Sequence, residues 1–157
     1  MHLLPYLEYR ISSKRTPEEI YGILKSVTDS ERHVFSRSHA EFVGEVHPLA
    51  FKIIGNINYR NSFVPVIKGG IKETEDGAVI DMEMRLSLFV RIFLASWFGM
   101  SGFFFLIGIL CIIVNGKKDI LLSVVSGCFI IAGQLMARCG FYIPAKKLIW
   151  RLEQLLG

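Results

Sequence analysis

The sequence predicts an α+β protein: a small antiparallel sheet with one N-terminal helix, followed by a two-helix transmembrane hairpin and a C-terminal amphipathic helix. Three observations lead there. Residues Ile92–Asn115 and Ile120–Ala137 carry no charged side chain, with only Gly116-Lys117-Lys118-Asp119 between them. The stretch before them alternates apolar and polar residues with the period of a strand. Thr16-Pro17-Glu18-Glu19 has the chemistry of a helix start, with Thr16 at the N-cap, Pro17 at the first helical position and Glu19 closing a capping box.

Taken in order, Leu7, Tyr9 and Ile11 alternate with Glu8 and Arg10, which predicts a first strand. Ile20, Ile23, Leu24 and Val27 then recur at helical spacing, and the helix is expected to end near Asp29-Ser30. Phe42, Gly44 and Val46 alternate with Glu41, Val43 and Glu45. A turn at His47-Pro48 leads to a strand with Phe51, Ile53, Gly55, Ile57 and Tyr59 on one face. Arg60-Asn61-Ser62 has turn chemistry. Phe63, Pro65, Ile67, Gly69 and Ile71 line the next strand, with Pro65 pointing to an edge or a bulge. A hairpin loop over Glu73–Gly77 precedes the clearest strand, in which Ile80, Met82, Met84, Leu86 and Leu88 face one way. One helix on one face of such a meander is an α+β domain spanning residues 1–90.

The hairpin occupies residues 91–143, with spans at about 92–115 and 120–141. A spanning helix needs about 20 apolar residues, so the first run suffices. The second reaches that length if Arg138 snorkels and Cys139–Ile143 extends it. Two segments cannot close a barrel, so helices are the structure that satisfies their backbone in lipid. The competing reading, a helical hairpin buried in a soluble core, asks a 157-residue chain to hide two long runs rich in Phe, Ile and Leu. Ala95, Gly99 and Gly102 share one face of the first span. Ser126, Gly133 and Gly140 recur every seven residues on the second. Small residues of this kind let helix backbones approach closely; packing within the hairpin is the plainer use and homo-oligomerisation the alternative. Gln134 is the strongly polar side chain at mid-span, and no Asp, Glu, Lys, Arg or His lies deep in either run, which argues against a proton relay or ion carrier.

The short turn places both termini on one side. Arg85, Arg91, Arg138, Lys146, Lys147 and Arg151 flank that side against Lys117 and Lys118 in the turn, so both termini are expected in the cytoplasm. Met1–Ser13 has no continuous apolar core, so insertion is expected to use the internal hairpin. Residues 144–157 place Leu148, Ile149, Leu152, Leu155 and Leu156 at helical spacing among Lys146, Lys147, Arg151 and Glu153. This amphipathic helix lies in the headgroup plane or folds back onto the sheet, the second being preferred because a small sheet needs another cover.

The net charge of +4 comes from the membrane flanks, since residues 1–90 carry 11 Lys/Arg against 12 Asp/Glu. Nucleic acid is therefore not an expected partner; the lipid bilayer is, together with a membrane or cytoplasmic protein. Cys111, Cys128 and Cys139 fall in or beside the spans and lack ligand spacing, and neither metal nor cofactor is expected. His39, Glu41, Glu45 and His47 share a strand face, but positions 39 and 47 lie about 26 Å apart at roughly 3.3 Å per residue and cannot hold one ion. Asp81 and Glu83 fit acid–base work by spacing, yet nothing supplies a nucleophile or phosphate loop; cross-strand pairing of Asp81, Glu83 and Arg85 with Lys68 or Lys72 is the simpler use.

Tyr59-Arg60-Asn61-Ser62-Phe63 is the densest polar cluster, and Arg60, Asn61 and Ser62 are candidates for contact with a partner carboxylate or an anionic headgroup. Phe51, Ile53, Phe63, Ile67, Met82 and Met84 are the alternative site, an apolar pocket under the sheet. The segments Phe42-x-Gly44-x-Val46, Phe51-x-Ile53, Tyr59–Phe63-x-Pro65-Val66-Ile67-x-Gly69 and Met84-Arg85-Leu86 resemble small two-pass bacterial membrane proteins that are uncharacterised. The resemblance covers about a third of the chain; it implies a bacterial cytoplasmic membrane and no activity. The functional expectation is a membrane-anchored, non-enzymatic module that binds a protein partner or lipid headgroup. The alternative is a small-ligand or lipid sensor, and a membrane-bound enzyme comes third.

Overall fold

The structure, a computed structural model of the chain, describes residues 4–29, 40–56, 61–115 and 120–157. It divides into two units, Met1–Ser87 with Gly140–Gly157, and Leu88–Cys139.

The first unit is built on strands β1 (Tyr6–Ser13), β2 (Thr28–Asp29), β3 (Phe42–His47), β4 (Ala50–Gly55), β5 (Val66–Thr74) and β6 (Gly77–Arg85), with helix α1 (Pro17–Val27) between β1 and β2. The sheet order is β1-β6-β5-β4-β3-β2. All neighbours are antiparallel except β2 and β3. The sheet is therefore mixed rather than a pure meander. Thr28 and Asp29, expected at the end of the helix, leave it instead: Thr28 is extended at φ −115° and ψ 129° and pairs parallel with Phe42. A β-branched residue favours this exit, and α1 carries the chain from one sheet edge to the other.

α1 starts as expected. The Thr16 side chain accepts from the Glu19 N–H, the Glu19 carboxylate accepts from the Thr16 N–H, and Pro17 opens the helix. Ile20 and Leu24 are fully buried from it. The covered sheet face presents Ile11, Ala78, Ile80, Met82, Met84, Ile67, Ile71, Phe51, Ile53 and Phe42, all buried. Pro65 stands immediately before β5, a central strand, rather than at an edge or bulge. There its missing N–H costs no ladder bond. The β5–β6 hairpin turns on Glu75 and Asp76 and needs Gly77 at φ 134°, where a Cβ would run into the Ser13 carbonyl.

The remaining helices are α2 (Leu88–Asn115) and α3 (Ile120–Leu156). A separate C-terminal helix starting at Pro144 was the expectation; instead α3 runs through Pro144 without a break. A proline inside a helix removes the bond to the carbonyl four residues earlier. That carbonyl, of Gly140, accepts from the Asn61 side-chain amide at 3.0 Å. From Gly140 onward α3 belongs to the first unit. Phe141, Ala145, Leu148, Leu152 and Leu156 are buried. Leu148 fills the space over Gly55, where a Cβ would collide with it.

In the second unit α2 runs antiparallel to the early part of α3. Trp97 lies against Phe129, ring centroids 5.5 Å apart, and over Gly133, where a Cβ would stand 2.8 Å from the indole nitrogen. Further along, Gly108 meets Ser123 and Phe105 covers Gly127. On α3 the seam includes Ser126 and Gly133, two of the small residues expected there. On α2 it does not: Gly99 and Gly102 face open space, while Trp97, Ser101 and Gly108 occupy the contact. Trp97 and Phe105 of α2 seat over glycines of α3, so at those two places only α3 needs to be small, whereas at Gly108 and Ser123 both helices are.

Both helices are long and apolar enough to cross a membrane. Only 11% of the apolar window in α2 and 22% of that in α3 is buried within the chain. The core helix of a soluble protein would hide far more of its apolar surface. Phe89, Ile113 and Leu121 are each more than two-thirds exposed.

Candidate interaction surface

Side chains of even-numbered β6 residues point under the helices. The odd ones point to the other face, which no described helix covers. Register places Glu45, Lys52, Lys68, Glu83 and Glu8 in one row across the uncovered face. Lys52 and Lys68 oppose each other on the central strands, and Glu83 opposes Glu8 toward the β1 edge. Like charges directly opposite each other cost stability, so each pair has relief nearby. Arg85 bonds Glu83 at 3.0 Å, and the Tyr6 hydroxyl donates to Glu8. Glu45 stands opposite Lys52, and Glu83 opposite Lys68.

The next row holds Arg10, Asp81, Gly70, Ala50 and His47. Asp81 accepts from Lys72 at 2.9 Å and from Arg10 at 2.5 Å. Those two cations, Lys72 first, hold its carboxyl below its ordinary value. Gly70 has nothing above its Cα, and an open cleft of about 720 Å³ lies there, with Lys68 and Gly70 on one side and Glu8, Arg10, Asp81 and Glu83 on the other. The cleft carries both signs, with Lys68 toward the middle of the sheet and Glu8, Asp81 and Glu83, together with Arg10, toward the β1 edge. Neither part excludes water.

The residues singled out from sequence fall in different places. Arg60 and His39 lie outside the described residues. Ser62 is exposed. Asn61 is committed at both ends, its amide to Gly140 O and its Oδ1 to the Phe63 N–H at 2.9 Å. Its work is to satisfy the carbonyl that Pro144 orphans. Phe51, Ile53, Ile67, Met82 and Met84 are core residues, none more than 3% exposed, and the Phe51 ring fills the space above Gly69. Phe63 is half-buried against Gly140. Glu41, grouped from sequence with Glu45 and His47 on one strand face, receives Arg151 bidentately at 2.6 and 2.5 Å. That guanidinium holds the Glu41 carboxyl below its ordinary value against the opposing effect of partial burial. The Tyr9 hydroxyl donates to Glu153 and Arg15 donates to Leu155 O at 2.7 Å, so three polar links fasten the end of α3 to the sheet unit. Sequence contained these residues but no signal of their pairing, since 110 positions separate Glu41 from Arg151. Among the described residues no three His, Cys, Asp or Glu side chains converge as metal ligands.

No known protein family matches the chain, and no curated protein matches it. The solved structure of protein MLL2253 from Mesorhizobium loti is similar at a TM-score of 0.35 and 10% identity, over 84% of this chain and 96% of that one.

Proposed function

We propose that the chain is a two-pass protein of a bacterial cytoplasmic membrane, with both termini cytoplasmic, and that its α+β unit is a non-enzymatic docking module for a protein partner. The observation that carries this reading is the uncovered sheet face. It is broad, it presents charges of both signs at defined positions, and among the described residues it holds no nucleophile–base pair. A lipid headgroup surface is the weaker occupant. Adsorption to anionic lipid needs a run of uncompensated cations, whereas the adjacent Lys52 and Lys68 are flanked here by Glu45 on one side and by Glu83 and Glu8 on the other. A fixed pattern of both signs instead suits register-specific recognition of another protein, where complementarity decides the partner more than it sets the affinity.

The anchor is supported by two helices whose apolar side chains face outward. The orientation is supported by the excess of Arg and Lys flanking the spans over the two lysines of the turn. The test replaces Lys68 by a photo-crosslinking residue in the full-length protein in native membranes, with the same replacement at buried Leu24 as control. A protein adduct at position 68, lost in Lys52→Glu, supports docking through this face. Adducts to lipid alone, or the same adduct pattern from both positions, would overturn it.

A further inference from the structure

The two edges of the sheet differ. One ends in β2, two residues long. The other is β1, eight residues in unbroken register with β6 from Tyr6 to Ser13, without proline, lysine or bulge. Among the described residues β6 is its only partner strand. A long edge exposes a row of backbone donors and acceptors, and proteins that do not use such an edge break it with prolines, charged side chains, bulges or a cover; of these β1 carries only Glu8 and Arg10, one charge of each sign on the same face.

We propose that β1 is a self-association edge, at which two copies of the chain pair antiparallel about Tyr9 and join their sheets. The sequence of β1 is self-complementary at that centre and at no neighbouring one. With Tyr9 opposite the partner's Tyr9, Glu8 stands opposite the partner's Arg10 and Leu7 opposite the partner's Ile11. Charges then meet opposite charges on the uncovered face, and apolar side chains meet on the covered one. Centring on Glu8 or on Arg10 sets like charges against each other. A shift of one residue sets a side chain of the uncovered face opposite one of the covered face, which the alternation of strands forbids without flipping a sheet. Arg10 has donors to spare: its Nε serves Asp81, its side chain is 69% exposed, and its remaining N–H groups are free to reach a second carboxylate. Pairing at this edge leaves the rows of the uncovered face open and extends them across two copies. The inference uses a different surface from the docking reading, so either can fail alone.

The experiment co-expresses two differently tagged full-length chains, one Glu8→Cys and one Arg10→Cys, with Cys111, Cys128 and Cys139 replaced by Ala, and oxidises native membranes. Directly opposed positions bring their Cβ atoms within bridging range while diagonal ones do not, so the mixed 8–10 product is expected at about 10-fold the 8–8 and 10–10 products. A second variant, Glu8→Arg, keeps an attractive neighbour in Glu83 within its own sheet but faces the partner's Arg10. It is expected to weaken dimerisation in detergent by about 10-fold at both symmetry-related contacts together. Equal yields of the three crosslinks, no crosslink in folded protein, or an unaltered dimer in Glu8→Arg would each overturn the proposal.

Discussion

Helix α3 is one helix with two burial patterns. Between Ile120 and Cys139 its large apolar side chains point outward, with Leu121 71% and Ile131 61% exposed, and its buried positions are the small residues Ser123, Ser126, Gly133 and Ala137. From Gly140 to Leu156 the pattern inverts: Leu148, Leu152 and Leu156 are buried while Lys146, Lys147 and Glu153 are exposed. Secondary structure does not change between the two stretches; only the surroundings do. Water rewards an apolar stripe turned toward a sheet. Lipid is as apolar as leucine and would reward close backbone approach instead, and small residues on the inside fit the membrane setting proposed above.

Substitutions that exchange the two environments break the comparison most strongly. Leu152→Ala empties a fully buried site and is expected to cost about 3 kcal/mol, read as a lower denaturation midpoint of the full-length protein in detergent. Leu121→Ala, equal in chemistry but at an outward-facing position, is expected to shift that stability by less than about 0.5 kcal/mol. A charge at the exposed face of the first stretch has the next largest effect. Ile131→Arg is expected to cost about 3 kcal/mol of insertion free energy on biological insertion scales; an in-vitro insertion assay checks it, and Gln154→Arg, in the other stretch, should leave insertion unchanged.

The junction between the stretches is tested by Asn61→Ala. Losing the amide that satisfies Gly140 O leaves a carbonyl without its partner beside Pro144, at an expected cost of about 1–2 kcal/mol. Pro144→Ala restores the N–H and should suppress most of that loss in the double variant, which a mutant cycle measures.

Apart from the two controls, the smallest effect is electrostatic. Glu41 has its carboxyl pKa lowered by Arg151. The stability from this pair is therefore fully present above the ordinary carboxylate range and is lost as pH falls through the lower, folded-state value. Both side chains are well exposed, 38% and 42%, so solvent screening keeps the contribution small. Glu41→Gln should flatten the acid limb of the stability–pH profile by that amount and leave stability near pH 9 reduced.

Much of the fold was legible because its signals are local. The Thr16 capping box, the alternation through Ile80, Met82 and Met84, and the two uncharged runs each depend on residues a few positions apart. The stripe of Leu148, Leu152 and Leu156 was legible too. The continuity of α3 was not, because Pro144 reads as a break unless something satisfies Gly140 O, and that something is Asn61, in a turn far away in sequence. The α2 seam was misread for a related reason: Gly99 and Gly102 signal close approach, but whether a glycine is used depends on what the other helix presents. The candidate surface was legible only in part. Asp81, Glu83 and Arg85 were visible as one strand face, whereas the opposition of Lys52 to Lys68 follows from a register that sequence alone does not specify.

The account turns on α2 and the first stretch of α3 crossing a bilayer with the sheet unit on the cytoplasmic side. Labelling intact cells with a membrane-impermeant maleimide tests this directly, using Lys117→Cys and Ser12→Cys in the background lacking Cys111, Cys128 and Cys139. The expected result is labelling of position 117 in intact cells and of position 12 only after lysis, with both chains resisting alkaline extraction from the membrane. Release of the protein by alkaline extraction, or labelling of position 12 from outside, would contradict it.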